Sequence, residues 1–79
     1  MSEDRASVWR RLGAPIDQEG SVNDPRTFEE HGVKWNEKWV YHADDGAITR
    51  VVLWNRYELV GVFRVNSDGS AEPEPLREG

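Results

Sequence analysis

Glu37 and Arg50 are charged residues that the sequence sets among aromatic side chains, and they pose the first question of chemistry. They lie within residues 34–65, KWNEKWVYHADDGAITRVVLWNRYELVGVFRV, where β-branched and aromatic types dominate between turn signals. A two-residue Asp45-Gly46 turn pairs Asp44 with Ala47, and hence Tyr41 with Arg50 and Trp39 with Val52. Glu37 then faces Trp54, and Arg50 shares its side of the sheet. A carboxylate among aromatic rings needs a raised pKa or a cationic partner. One reading is a small ligand-binding or enzymatic pocket around Glu37, Tyr41, Arg50 and Tyr57, with Gly61 leaving room above the sheet. The simpler reading, adopted here, sets Glu37 and Arg50 at the sheet margin with Arg50 stacked on a ring.

Other candidate chemistry is thin. His31 and His42 are the two histidines, each beside a pair of acids, and neither has the paired spacing of a metal motif. No metal or other cofactor is assigned. Asp44-Asp45-Gly46 and Asp68-Gly69 lack the alternating ligands and closing Glu of a calcium loop, and turn chemistry accounts for both. Ser7, Ser67, Ser70, Thr27 and Thr49 lack the context of an activated nucleophile, and no glycine loop is arranged to cradle phosphate. No catalytic residue is assigned, and the sequence leans away from an enzyme.

Charge narrows the partners. Fifteen acids against ten bases give a net charge of −5. A nucleic-acid binder needs a dense cationic footprint to displace counterions, and an anionic lipid surface repels an acidic chain. Nucleic acid and membranes are therefore set aside. The absence of cysteine excludes a disulfide framework and a thiol nucleophile. The opening Met1-Ser2-Glu3-Asp4-Arg5 lacks the apolar core of a signal peptide, so the expected compartment is the cytoplasm. At 79 residues, one small domain with a thin core is expected.

The elements that must position these residues follow from local signals. Residues 3–12 read as a helix, with Ser2 as cap, acids in the first turn, Arg10 and Arg11 in the last, and Gly13 and Pro15 as stops. Residues 14–22 read as an irregular connector. Asp24-Pro25 reads as the start of a short helical turn over 24–31. Strands are predicted at 34–43, 48–54 and 57–65, joined by Asp45-Gly46 and Asn55-Arg56 turns. Residues 66–79 read either as a hairpin return at Asp68-Gly69 or as an acidic tail. The class is α+β: a short N-terminal helix, a helical turn and a three- to four-stranded antiparallel meander.

These registers gather Trp35, Trp39, Tyr41, Ile48, Val52, Trp54, Tyr57, Leu59, Phe63 and Val65 on one face. The other face still carries Val40, Val51, Leu53, Val60 and Val62, too apolar to be solvated. Two short helices leave part of it bare, and a bare apolar patch marks an interface. The leading expectation is a non-catalytic protein–protein interaction module, either an accessory or regulatory subunit or a homo-oligomer assembled through its sheet. Its interface residues would be Trp9, Val40, Val51, Leu53, Val60 and Val62. An acidic inhibitor of a basic partner site is a further alternative.

Overall fold

The computed structural model describes residues 5–43 and 45–74. Ser2, Glu3, Asp4, Asp44 and residues 75–79, on which parts of the sequence reading rest, lie outside them. Helix α1 spans Arg5–Leu12. Val8 and Leu12, four residues apart, share the side that packs on the sheet. Gly13 closes the helix at a φ of +82°, where its N–H donates to the Trp9 carbonyl at 2.7 Å. That left-handed cap is open to glycine without penalty. Among the described residues no helix is long and apolar enough to cross a membrane.

Seven strands follow: β1 (Asp17–Gly20), β2 (Phe28–Glu30), β3 (Val33–Trp35), β4 (Glu37–His42), β5 (Ile48–Asn55), β6 (Glu58–Val65) and β7 (Ala71–Pro73). Five form an antiparallel sheet in the order β1-β4-β5-β6-β7, and β2 and β3 pair as a separate hairpin. The α+β class with an antiparallel sheet is observed. The count of three to four strands is corrected to seven in two sheets among the described residues.

The helical turn at 24–31 is corrected as well. Asp24 does cap a turn, accepting from the Arg26 N–H at 2.9 Å, but the chain then extends into β2. His31 and Gly32, at φ of +56° and +82°, reverse it into β3. A hairpin presents Val33 and Trp35 to the sheet, which one helical turn anchored by Phe28 would not do. The connector at 14–22 contains β1, whose four residues are all exposed. An edge strand of Asp, Gln, Glu and Gly has no apolar alternation to betray it; Gln18 lies opposite Trp39 in the ladder.

The first meander turn is one residue wider than predicted, because Ala43 and Ala47 close it. A bulge at Thr49 offsets the difference, so Tyr41 still faces Arg50 and Trp39 still faces Val52. The second turn differs more. Arg56 and Tyr57 form it at φ of +51° and +74°, and Val60 is the extra residue of a bulge. Val52 thus faces Val62 rather than Leu59, and Phe63 moves to the opposite face. The return hairpin at Asp68-Gly69 forms, with β7 pairing to the end of β6.

The sheet is covered on both sides. On one, α1 brings Val8 and Leu12 onto Trp39, Tyr41, Val52, Trp54 and Val62. On the other, the β2–β3 hairpin brings Val33 and Trp35 onto Val40, Val51, Leu53, Val60 and Phe63. The expectation of an open second face is corrected by that hairpin: Val40, Val51 and Leu53 are buried and Val60 is half-buried, all beneath it, while Val62 is buried under the helix. Gly61 also lies on the hairpin side, not above the helix-side aromatic residues. A Cβ there would come within 2.7 Å of the Phe63 ring and 3.4 Å of Val33.

Asn36 separates β3 from β4 and is 1% exposed. Its backbone N–H donates to Trp54, and its carbonyl accepts from Ser21 at 2.9 Å. Its side chain donates to the Val22 carbonyl at 3.2 Å and accepts from the Arg56 N–H at 3.1 Å. The predicted single strand at 34–43 is therefore broken here. Removing a buried partner leaves the full desolvation penalty of the group it satisfied. Asn36→Ala is expected to cost about 2–4 kcal/mol, read by chemical denaturation with tryptophan fluorescence. A loss below about 0.5 kcal/mol would show that Asn36 does not hold the junction.

Candidate functional site

Glu37 opens β4 directly after this junction, on the helix side of the sheet, opposite Trp54. It is 5% exposed. A buried carboxylate survives as a charge only when paired and hydrogen-bonded. Arg5 of α1 supplies the pair, donating Nη1 to Oε1 at 2.5 Å and Nη2 to Oε2 at 3.1 Å. The Trp39 Nε1–H adds a third donor to Oε2 at 3.0 Å. This two-pronged guanidinium–carboxylate contact is the strong form of an ion pair.

The guanidinium is also caged. Its Cζ lies 5.0 Å from the Trp39 ring centroid, 5.3 Å from Trp54 and 5.8 Å from Tyr57. Each is within the range of cation–π attraction. Trp39 and Trp54 meet at 5.0 Å, and Trp9 stands edge-on to Trp39 at 5.6 Å and 89°. Trp39 and Trp54 are fully buried, whereas Trp9 and Tyr57 are 45% and 61% exposed. The cage has a buried floor and an exposed aromatic rim. Among the described residues, the Trp54 Nε1–H has no acceptor.

The four residues grouped in the sequence reading divide between two places. Glu37 and Tyr57 meet around Arg5. Tyr41 lies four residues along β4 from Glu37, about 13 Å away in an extended strand. Its hydroxyl donates to the Gly13 carbonyl at 3.0 Å, and burial pushes it above its ordinary pKa, partly offset by Arg50. Arg50 faces Tyr41 and Arg64 across the ladders and is clamped by Glu74, with Nε to Oε1 at 2.7 Å and Nη2 to Oε2 at 2.9 Å. Arg50 is thus neither the partner of Glu37 nor a ring-stacked marginal residue. Arg5 and Glu74 were missed. Arg5 and Trp9 stand four apart on α1, a spacing that already sets them on one side, whereas Glu74 has no such mark.

The remaining candidates are structural. On the hairpin side, Lys38 donates to Glu30 at 3.0 Å, lies 3.7 Å from Glu19 and sits 5.4 Å from the Trp35 ring centroid, tying β2 to the sheet. His31 stacks on Phe63 at 4.7 Å. His42 ends β4 opposite Ile48. Among the described residues no cluster of three His, Cys, Asp or Glu side chains could hold a metal. A shallow hollow of about 420 Å³ between the β4–β5 and β6–β7 turns is bordered by Ile48, Val65 and the single charged side chain of Asp45.

No protein-family model, no curated protein and no solved structure matches this chain.

The Arg50–Glu74 clamp makes stability depend on pH. The hydrogen bonds from Arg50 hold the Glu74 carboxyl below its ordinary value. A carboxyl depressed on folding contributes stability above its unfolded pKa and loses it as pH falls through the folded one. Wild type should lose this contribution as acid takes the pH below the ordinary glutamate range. Glu74→Gln should be less stable at neutral pH, by under about 1 kcal/mol for so open a pair, and the gap should close in acid. A gap that stays constant from pH 7 to about pH 2 would show that the clamp adds nothing.

Proposed function

We propose that the chain is a small non-catalytic interaction module that binds a segment of a protein partner on the helix side of its sheet. The observation that carries this reading is the backbone of Tyr57. An Arg-Tyr pair makes the β5–β6 turn with both residues at positive φ, where Asn-Gly would sit without strain. Non-glycine residues held there cost on the order of 1 kcal/mol or more, and such strain concentrates at functional positions. Here it projects an aromatic ring, 61% exposed, over the Arg5 cage.

Trp9 rims the other side of the same cage, 45% exposed and seated on buried Trp39. Trp, Tyr and Arg on a rigid base are the residue types that concentrate binding energy. The non-catalytic character is supported by how fully the polar groups are engaged. Both oxygens of Glu37 are bonded, and Arg50 is held by Glu74. Trp9 was expected at the interface from sequence and remains in it. Val40, Val51, Leu53 and Val62 are buried in the core and Val60 is half-buried against it, so the proposed interface does not use them.

A random peptide library displayed on phage and selected on the immobilised protein tests the proposal. Enriched peptides should lose at least about tenfold in affinity on Trp9→Ala. They should lose as much on an Arg56→Asn, Tyr57→Gly double variant, which should still fold because relief of turn strain offsets the lost Tyr57–Arg5 and Arg56–Val22 contacts. Peptides that bind both variants as tightly as wild type, or a selection that enriches nothing, would refute the interface.

A further inference from the structure

We infer that the cage is a recognition site for the guanidinium of a partner's arginine, and that Arg5 is its internal occupant. This rests on the binding-module reading and names what the module recognises.

The argument starts from what the site requires. Glu37 is 5% exposed, and without Arg5 its remaining hydrogen-bond donor among the described residues is the Trp39 indole. A buried carboxylate with one neutral donor is strongly destabilised, so the site demands a cation. The geometry then selects among cations. Both carboxylate oxygens are engaged by the two terminal nitrogens of one planar group, a match that a spherical ammonium does not make. Three aromatic faces within 5.8 Å favour a flat, weakly hydrated cation over a strongly hydrated one.

The present occupant can be displaced. Arg5 belongs to α1, whose described residues make about two turns, too few to hold themselves in water. That helix is kept on the sheet by Val8, Leu12, the Trp9–Trp39 contact, the Tyr41–Gly13 hydrogen bond and this ion pair, so Arg5 can leave the cage while the rest of the helix stays docked. The Arg5 side chain is 31% exposed, so the cage opens to solvent at the rim formed by Trp9 and Tyr57. An arginine arriving on a partner would exchange like for like at Glu37, and the residues flanking it would cover the surface of Trp9 and Tyr57 that stays exposed around Arg5. Free arginine brings no rim contacts, so it cannot compete with a tethered Arg5 at high effective concentration.

The test removes the tether. Arg5→Ala and Arg5→Gln in the full chain are titrated with ethylguanidinium at low-millimolar concentrations, following melting temperature and tryptophan fluorescence. A saturable rise of about 5 °C is expected in both variants. It should be absent in wild type and in Arg5→Ala, Glu37→Gln, and smaller with ethylammonium. If Arg5→Ala is unfolded without ligand, the same titration reads recovery of its folded fluorescence. Ethylguanidinium that acts on the variants no more than on wild type overturns the inference. Peptides selected against Arg5→Ala should share an arginine at one position. Selected peptides that depend on Trp9 and Tyr57 but carry no shared arginine would overturn the guanidinium site while leaving the interaction module in place.

Discussion

The junction at Asn36 governs the rest of the molecule. A meander with both faces apolar has to be covered twice, and one short helix covers one side. The chain meets this by leaving the main sheet before β4 and spending residues 28–35 on a hairpin that lies across the second face. Asn36 makes that change of layer within a single residue. Its backbone remains in the ladder region while its side chain satisfies a carbonyl of the loop after β1 and an amide of the β5–β6 turn. Gly20 belongs to the same arrangement. Its φ is +70°, and a Cβ there would fall 2.2 Å from the Asn36 carbonyl oxygen.

From this junction the placement of Glu37 follows. The strand restarts with an acid directly beneath α1, so the buried carboxylate meets the half-buried guanidinium of Arg5. The pair costs desolvation that its hydrogen bonds and ring contacts must offset. It therefore contributes more to positioning than to raw stability. It fixes the end of a helix whose own apolar stripe is narrow, and with it Trp9 relative to Tyr57.

The sequence was legible where neighbours in space are also neighbours in the meander. Trp39 opposite Val52, Tyr41 opposite Arg50 and Glu37 opposite Trp54 came from alternation and turn residues, and the return at Asp68-Gly69 is one of the two alternatives they left open. The failures share a cause, which is backbone geometry without a side-chain signature. Arg56 and Tyr57 occupy a turn conformation that neither residue advertises, and a bulge at Val60 changes the face of everything beyond it, moving Phe63 and Val62 to opposite sides. β1 pairs through main chain while its side chains face solvent. The Asp24-Pro25 start looks the same whether a helix or a loop follows. At the site, the acid and the Tyr57 ring were found. Its cation was missed, because no local rule joins residue 5 to residue 37.

The pairing of β1 with β4 also bears on the order in which the molecule assembles. The contacts of β4, β5, β6 and β7 close across short turns, and such local pairings form early. β1 can join only after β2 and β3 have been looped out between Gly20 and Glu37, which adds the entropy of a larger closure. Its four residues are all exposed, and its pairing to β4 rests on the main-chain ladder with little apolar burial behind it. In hydrogen exchange β1 thus belongs to the first cooperative unit to open, and β5, flanked by paired strands and buried through Val51–Trp54, to the last.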